Sequence, residues 1–263
     1  MKPKIGFMGQ LTTQNVLDDL NFAVKNGFDW FEIGLDWKRN YNLKPEVIKK
    51  IKEISQENKI RLIVHTPFYL PTSTMLPEIK KGVIENAGKA IIFANKVGSD
   101  RLTIHSGYRE MPRRANIRLC YDSLIENLRE IVKIGKQYKI NICLENSNKH
   151  TLLLCSERKD FLNVLNQVKG LKATLDVGHA NTTNIKPAQY FNGVKNFIMD
   201  MHVHDNNGKS DEHKCLGGGN VDFQKLFFKC KKENYFGPFI LEVFPYKNIL
   251  KGKKILSDIW GKS

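Results

Sequence analysis

Histidine and acidic side chains interrupt a series of short apolar stretches in this sequence, and they recur at the same place in each stretch. They stand at or next to the end of six successive runs: His65, His105, Glu145, Asp176 with His179, His202, and Glu242. A buried charge is costly unless it is paired or binds a metal, so six such positions are hard to explain by packing alone. Histidine nitrogen combined with carboxylate oxygen suits Zn, Mn, Co or Fe, whereas an all-oxygen set indicates Mg or Ca. The pattern therefore predicts a divalent transition-metal centre.

A second pair of similar residues follows in a polar segment. Asp211 and His213 are two positions apart, so both side chains could face the same side of a loop. The pair is equally compatible with a solvated surface loop, because polar loop residues are common on protein surfaces. The sequence leaves these two alternatives open.

The elements that must position these side chains are eight apolar, β-branched runs separated by segments of helical periodicity. The runs cover residues 4–8, 30–35, 61–65, 101–105, 141–145, 172–176, 197–204 and 238–243, and helical patterns include 15–25 and 117–138. Nearly continuous apolar runs are typical of buried parallel strands. One strand about every 33 residues fits the length of a βαβ unit. We predict an α/β fold in which a (β/α)8 TIM barrel forms one domain over residues 1–263, with the carboxyl ends of the strands converging on one face.

An open, doubly wound sheet is the competing architecture. It binds its ligand at a glycine-rich phosphate turn or at a topological switch point, and no G-x-G-x-x-G sequence follows any of the predicted strands. The barrel is therefore the better interpretation.

Composition limits the classes of protein that the sequence can represent. With 41% apolar residues and a net charge of +15, the chain can bury a large core and favours anionic partners. No apolar run reaches the roughly 18 residues that a membrane span needs, and the first residues lack a signal-peptide core. The five cysteines show no CxxC spacing, which indicates reduced, structural thiols. We expect a soluble, cytoplasmic protein without a membrane partner.

The ordered motifs resemble the xylose-isomerase-like TIM-barrel superfamily, which includes sugar phosphate isomerases and epimerases and the endonuclease IV type of abasic-site nuclease. The resemblance spans nearly the whole chain and rests on short motifs in a fixed order: Val64-His65-Thr66-Pro67, Ile104-His105-Ser106-Gly107, Leu144-Glu145-Asn146, Asp176-Val177-Gly178-His179, His202-Val203-His204-Asp205-Asn206, Asp211-Glu212-His213, Leu216-Gly217-Gly218-Gly219 and Leu241-Glu242. Each motif is weak alone, and their succession is specific.

The resemblance implies one shared metal ion in the isomerase and epimerase branch. Its ligands would be Glu145, Asp176, His202 and Glu242, and the two glutamates would also be the catalytic acid and base. Zn or Mn is the expected ion, with Co or Fe as alternatives. The substrate would be a small carbohydrate or sugar phosphate. We expect five side chains to contact it: His65, His105, His179, His204 and Arg109.

The nuclease branch implies a larger metal centre at the same face. There the four ligands are joined by five further side chains to hold three zinc ions, and DNA is the partner. All five are present: His65, His105, His179, Asp211 and His213. The ligand set therefore permits both branches.

Departures from the nuclease pattern favour the isomerase or epimerase branch. The first βα loop, residues 9–13, is not rich in small residues, and the second run contains the acidic residue Glu32. Gly218 stands where both branches commonly place Glu, so this departure concerns a supporting carboxylate of either branch. The arginines after the fourth run, namely Arg109, Arg113, Arg114 and Arg118, could clamp a substrate phosphate or follow a DNA backbone. Trp37-Lys38-Arg39 could stack on a sugar ring or an unstacked base. The oligomeric state is left open.

Overall fold

Eight parallel strands form a closed barrel in chain order in the computed structural model, which describes residues 1–9, 15–36, 43–110 and 116–263. The strands are β1 Ile5–Met8, β2 Trp30–Gly34, β3 Arg61–His65, β4 Arg101–His105, β5 Asn141–Glu145, β6 Lys172–Asp176, β7 Ile198–Val203 and β8 Phe239–Leu241. The barrel closes where β1 pairs with β8. The predicted (β/α)8 architecture is confirmed.

Helices occupy the connections between the strands. Those within the described residues are α1 Val16–Lys25, α2 Pro45–Glu57, α3 Pro77–Val97, α4 Arg118–Gln137, α5 Arg158–Gln167, α6 Val177–Asn181, α7 Pro187–Val194, α8 Phe223–Lys232 and α9 Tyr246–Lys262. Local sequence explains several starts. Pro45 and Pro187 lie in first turns, where the missing N–H has no helical partner to lose. The Asp222 carboxylate accepts the Lys225 N–H at 2.9 Å and begins α8.

Alternation along β2 shows how side chains are divided between the two sides of the barrel wall. Phe31 and Ile33 join the main core together with Leu20 and other helix residues. Since successive strand residues point to opposite faces, Trp30 and Glu32 point into the barrel. Trp30 meets Ile63 and Ile240 there in a separate apolar cluster. The barrel interior is thus filled with side chains below the level of the strand ends.

Two further expectations concern the membrane and the thiols. The structure, over the residues it describes, has no helix that is both long enough and apolar enough to span a bilayer. All five cysteines are free; Cys215 is partly exposed and the other four are buried. Free thiols agree with the interpretation of the cysteines as structural.

Candidate metal centre

The predicted site residues meet at the carboxyl ends of the strands. His65, His105, Glu145 and Asp176 are the last residues of β3 to β6, His202 is the penultimate residue of β7, and Glu242 directly follows β8. Strand register places His105 beside Glu145 and Asp176 beside His202. All six side chains are buried. The fold therefore brings residues that are far apart in sequence to one level of the barrel.

Glu145 lies at the centre of the cluster and is nearly surrounded by histidines. Its Oε2 atom is 3.2 Å from His65 Nε2 and 3.3 Å from His105 Nε2. Its Oε1 atom is 3.4 Å from both His179 Nδ1 and His202 Nδ1. One carboxylate thus lies within 3.4 Å of ring nitrogens from four histidines.

The four residues predicted to share one ion converge on His202 Nδ1. This nitrogen is 3.0 Å from Glu242 Oε1, 3.4 Å from Glu145 Oε1 and 4.0 Å from Asp176 Oδ2. Of these atoms, His202 Nδ1 and Asp176 Oδ2 are buried without a hydrogen-bond partner among the described residues. Buried polar atoms normally have a hydrogen-bond partner, so these two unpartnered atoms fit the role of metal ligands.

Asp211 and His213 belong to the cluster rather than to a solvated surface. Asp211 Oδ2 is 3.1 Å from both His179 Nε2 and His213 Nε2, and its Oδ1 atom is buried without a hydrogen-bond partner in the described part of the chain. The structure decides between the two alternatives that the sequence left open for this pair. Three side chains with metal-binding atoms meet here.

The loop carrying Asp211 and His213 is closed at its base by Asp205. The backbones of Asp205 and Lys214 exchange two hydrogen bonds, of 2.8 and 2.9 Å. The Asp205 carboxylate also accepts the N–H groups of Gly217 at 2.9 Å and Val221 at 3.2 Å. One buried carboxylate therefore ties both ends of the loop together.

His204 is buried more deeply than a side chain that would contact substrate at the surface. It is fully buried, with Nε2 3.1 Å from Asp176 Oδ1 and 3.4 Å from Asp211 Oδ1. Its ring stacks on that of His213 with centroids 4.0 Å apart. It also lies close to Gly178, where an added Cβ would be 1.9 Å from the ring. The expected contact between His204 and substrate stays a prediction.

The cluster can hold metal ions by donor type and spacing. Four overlapping groups have donor atoms all within 4.8 Å of one another: His65 with Glu145 and His202, Asp176 with His179 and His204, His204 with His213 and Glu242, and Glu32 with His202 and Glu242. Imidazole and carboxylate donors suit Zn, Mn, Co and Fe. The residues fit the metal centre that the sequence predicts, and the identity of the ion stays open.

Burial and neighbouring carboxylates have opposite effects on the pKa values of the histidines in the cluster. Burial lowers the pKa of His65, but the Glu145 and Glu32 carboxylates outweigh it and raise the pKa to about 9. Burial likewise opposes charge on His213, yet Asp211 and Glu242 raise its pKa to about 9. For His105, burial dominates over the attraction of Glu145 and lowers the pKa to about 4. In the metal-free protein, the carboxylates thus favour the protonated form of His65 and His213.

The arginines and the aromatic segment are only partly described. Arg109 is half-buried in the loop after β4, where its N–H donates to the Leu152 carbonyl at 2.7 Å. Arg118 begins α4 and is exposed beside Asp122. The predictions for residues 10–13, for Trp37-Lys38-Arg39 and for Arg113 and Arg114 lie outside the described residues.

Glu32 is the member of the site to which the sequence interpretation gave no role. It is fully buried in the middle of β2, and its Oε2 atom is 3.0 Å from His202 Nε2. The predicted site residues stand at or next to strand ends, whereas Glu32 stands two residues before the end of its strand. The available signal was an acidic residue in an otherwise apolar run, since an unpaired buried charge is unfavourable.

Comparisons with known proteins agree with the barrel fold. The family model described as xylose isomerase-like TIM barrel matches residues 20–259. A protein of Methanocaldococcus jannaschii described as uncharacterized is 29% identical over 251 residues, which cover 93% of this chain and 85% of the relative. An L-ribulose-5-phosphate 3-epimerase of Escherichia coli is 23% identical over 239 residues, covering 87% and 82%.

Among solved structures, a D-tagatose 3-epimerase-like protein superposes with a TM-score of 0.90 at 28% identity, and the match covers 98% of this chain and 97% of that one. The chain belongs to the xylose isomerase-like TIM barrel family.

Proposed function

We propose that this member of the xylose isomerase-like TIM barrel family is a divalent-metal-dependent epimerase or isomerase that acts on a sugar or a sugar phosphate. The observation that carries the proposal is the pair of glutamates from β5 and from the end of β8, which approach one ring nitrogen. Glu145 Oε1 and Glu242 Oε1 lie 3.4 and 3.0 Å from His202 Nδ1. The names of the relatives, a ribulose phosphate epimerase and a tagatose epimerase-like protein, point to the same reaction class.

Glu145, Asp176, His202 and Glu242 would hold the metal ion, most favourably Zn or Mn. When bound, the ion would act as a Lewis acid that favours negative charge on the substrate oxygens. The Asp176 carboxylate is held in place by a backbone hydrogen bond. Its Oδ1 atom accepts the N–H of His179 at 2.6 Å, and its Oδ2 atom faces His202. The fold therefore fixes this ligand independently of any ion.

Glu145 and Glu242 would carry out the proton transfers. One carboxylate takes the proton from the carbon next to the carbonyl, which leaves an enediolate, and the other returns a proton to that carbon from the opposite face or to the adjacent carbon. Both carboxylates are nearly excluded from water, with 1% and 6% of each residue exposed. Exclusion of water strengthens their interactions with a substrate and protects a reactive carbanion.

The remaining predicted contacts would orient the substrate. His179 presents Nε2 towards Asp211 and the site, and His65 and His105 line the side of Glu145 that faces β3 and β4. Phe68 packs edge-on against His105 with centroids 4.7 Å apart, so it narrows this side of the site. Arg109, in the loop after β4, is the predicted partner of a substrate phosphate.

Hydrogen exchange with solvent tests the proposed function directly. Purified protein, stripped of metal and reloaded with Mn²⁺, Co²⁺ or Zn²⁺, is incubated in D2O with a panel of ketoses, aldoses and their phosphates. Nuclear magnetic resonance should show deuterium at the carbon next to the carbonyl, together with an epimer or isomer. Absence of both across the panel, with metal bound, would reject the proposal.

An endonuclease IV-like abasic-site endonuclease is the second candidate function. It is favoured by the convergence of the five additional side chains, since His65 and His105 contact Glu145 and Asp211 lies between His179 and His213. Neighbouring zinc ions could then assist displacement at a DNA phosphate.

Metal content of protein purified without added metal separates the two candidates: one ion per chain supports the epimerase or isomerase, and three zinc ions support the nuclease.

A further inference from the structure

We infer that Glu32 is a positioning residue that holds His202 as an Nδ1 ligand of the metal ion. The inference rests on the proposed metal site and adds a residue from a strand that supplies none of the proposed ligands.

Three histidines of the cluster share one orientation. The Nδ1 atoms of His65, His179 and His213 lie 2.6, 2.8 and 2.9 Å from the backbone carbonyl oxygens of Thr66, Asn146 and Glu242. A carbonyl oxygen can only accept a hydrogen bond, so each Nδ1 carries the proton. Nε2 is then the nitrogen of each ring that could bind an ion after losing its proton, and each Nε2 faces a carboxylate of the cluster.

His202 has the opposite orientation. Its Nδ1 atom faces the three carboxylates predicted to share its ion, the nearest being Glu242 at 3.0 Å. Its Nε2 atom points away from them, 3.0 Å from Glu32 Oε2. The partner of the distal nitrogen is thus a carboxylate instead of a peptide carbonyl.

The surroundings of Glu32 make this pairing specific. Glu32 pairs in register with Met8 on β1 and Ile63 on β3, two apolar residues, and its side chain points into the filled barrel below the site. A buried carboxylate in such a place is stabilised chiefly by a partner of opposite charge or by a strong donor. His202 Nε2 is placed to supply that donor at 3.0 Å. The two atoms are within ion-pair distance but are not aligned as a hydrogen bond, and neither has another hydrogen-bond partner among the described residues. Packing alone would favour an apolar side chain at position 32.

The consequence for the ligand is chemical. An N–H on Nε2 that donates to a carboxylate fixes the tautomer in which Nδ1 carries the lone pair, and the negative partner makes that nitrogen a stronger base. His202, the one nitrogen ligand of the proposed ion, is therefore expected to bind it more strongly, with its ring oriented before any ion binds.

The test compares Glu32→Gln with wild type, using Zn²⁺ as the probe. Chelator competition gives the Zn²⁺ dissociation constant, and nitrogen-15 histidine spectra of the Zn²⁺-loaded protein give the tautomer of each ring. The His202 signals are assigned by their loss in His202→Ala. Asp200→Asn is the matched control, because Asp200 is also fully buried but pairs with Arg101 at 3.7 Å.

We expect Glu32→Gln to weaken Zn²⁺ binding about 10- to 100-fold, the usual effect of losing such a partner, and to move the His202 Nε2–H resonance upfield. Asp200→Asn should change the dissociation constant by less than threefold. Glu32→Asp, which keeps the charge on a shorter side chain, should fall between wild type and Glu32→Gln and serves if Glu32→Gln does not fold.

Three results would overturn the inference: unchanged Zn²⁺ affinity in Glu32→Gln and Glu32→Asp, equal losses in Glu32→Gln and Asp200→Asn, or a wild-type His202 that carries its proton on Nδ1. Wild-type protein that binds no Zn²⁺ would overturn both this inference and the proposed metal site. Zn²⁺ binding without any epimerisation would reject the proposed function and leave the role of Glu32 standing.

Discussion

Replacing Gly178 by Ala should destabilise the protein by forcing a single ring out of place. The added Cβ would lie 1.9 Å from His204 Cε1, whereas carbon atoms in contact are about 3.5–4.0 Å apart. The ring must therefore move by roughly 1.6–2.1 Å. The ring has little room to move, because it also stacks on His213 with centroids 4.0 Å apart. The backbone at Gly178 is helical, so the clash and not the backbone conformation is the cause.

Overpacking of this kind costs about 1–3 kcal/mol. For a chain of this size, each kcal/mol lowers the melting temperature by about 2–4 °C, so the expected fall is roughly 2–12 °C. Differential scanning calorimetry of chelator-treated protein measures it without any contribution from bound metal. Gly82→Ala is the matched control: Gly82 lies in the exposed interior of α3 with nothing within 4 Å of an added Cβ. That substitution should stabilise the protein by about 0.5–1 kcal/mol.

A double-mutant comparison isolates the clash from other effects of the substitution. With the ring removed in His204→Ala, the further change Gly178→Ala should cost almost nothing, because the space is then free. The reasoning would be refuted if Gly178→Ala melts at the wild-type temperature, or if its cost is the same with and without the His204 ring.

Glu145→Gln and Glu242→Gln should retain metal but each lower deuterium incorporation into a competent sugar by roughly two to four orders of magnitude. His204→Ala should lower this incorporation less. A metal-loaded Glu→Gln variant with wild-type exchange would contradict the two-glutamate mechanism. If His65 and His213 bind metal, as in the nuclease candidate, metal affinity should fall as the pH is lowered, because their pKa values are raised to about 9 and each imidazole must lose its proton to become a ligand. Between pH 9 and pH 6, competition titration with Co²⁺ should show a loss of up to about tenfold per pH unit for each displaced proton, and a flat profile would argue against these ligands. The Zn²⁺-loaded protein should not incise an abasic-site duplex efficiently; robust, chelator-sensitive cleavage on the 5′ side of the site, weakening steeply with salt, would favour the nuclease.

The barrel could be predicted from sequence because its strands are buried on both faces. Five of the eight strand starts fall at the predicted residue, and the others differ by one. The strand ends of β7 and β8 were set too late, at residues 204 and 243, because apolar character continues after pairing stops. Glu242 still donates its N–H to Val203 at 3.2 Å but lies beyond the β8 ladder. Apolar runs thus locate strands better than they locate the end of pairing.

The contacts within the site could be predicted less completely. His202 and His204 are two residues apart and on a strand would share a face, yet only His202 contacts Glu145, because β7 ends at Val203. His204 therefore turns towards Asp176 and Asp211. Depth of burial and ring orientation depend on such chain turns, which a residue pattern does not encode.

The closure by Asp205 of the loop that carries Asp211 and His213 affects the entropy cost of binding an ion there. Fixing one residue of a free loop costs about 1–2 kcal/mol in conformational entropy. If the loop were disordered, this cost would make the free energy of ion binding less favourable. Here the folding transition has already ordered the segment, since Asp205 fastens Lys214, Gly217 and Val221. If Asp211 and His213 bind an ion, as in the nuclease candidate, that binding would be opposed mainly by displacement of protons and by dehydration of the ion. The loop is therefore ordered before any ion binds.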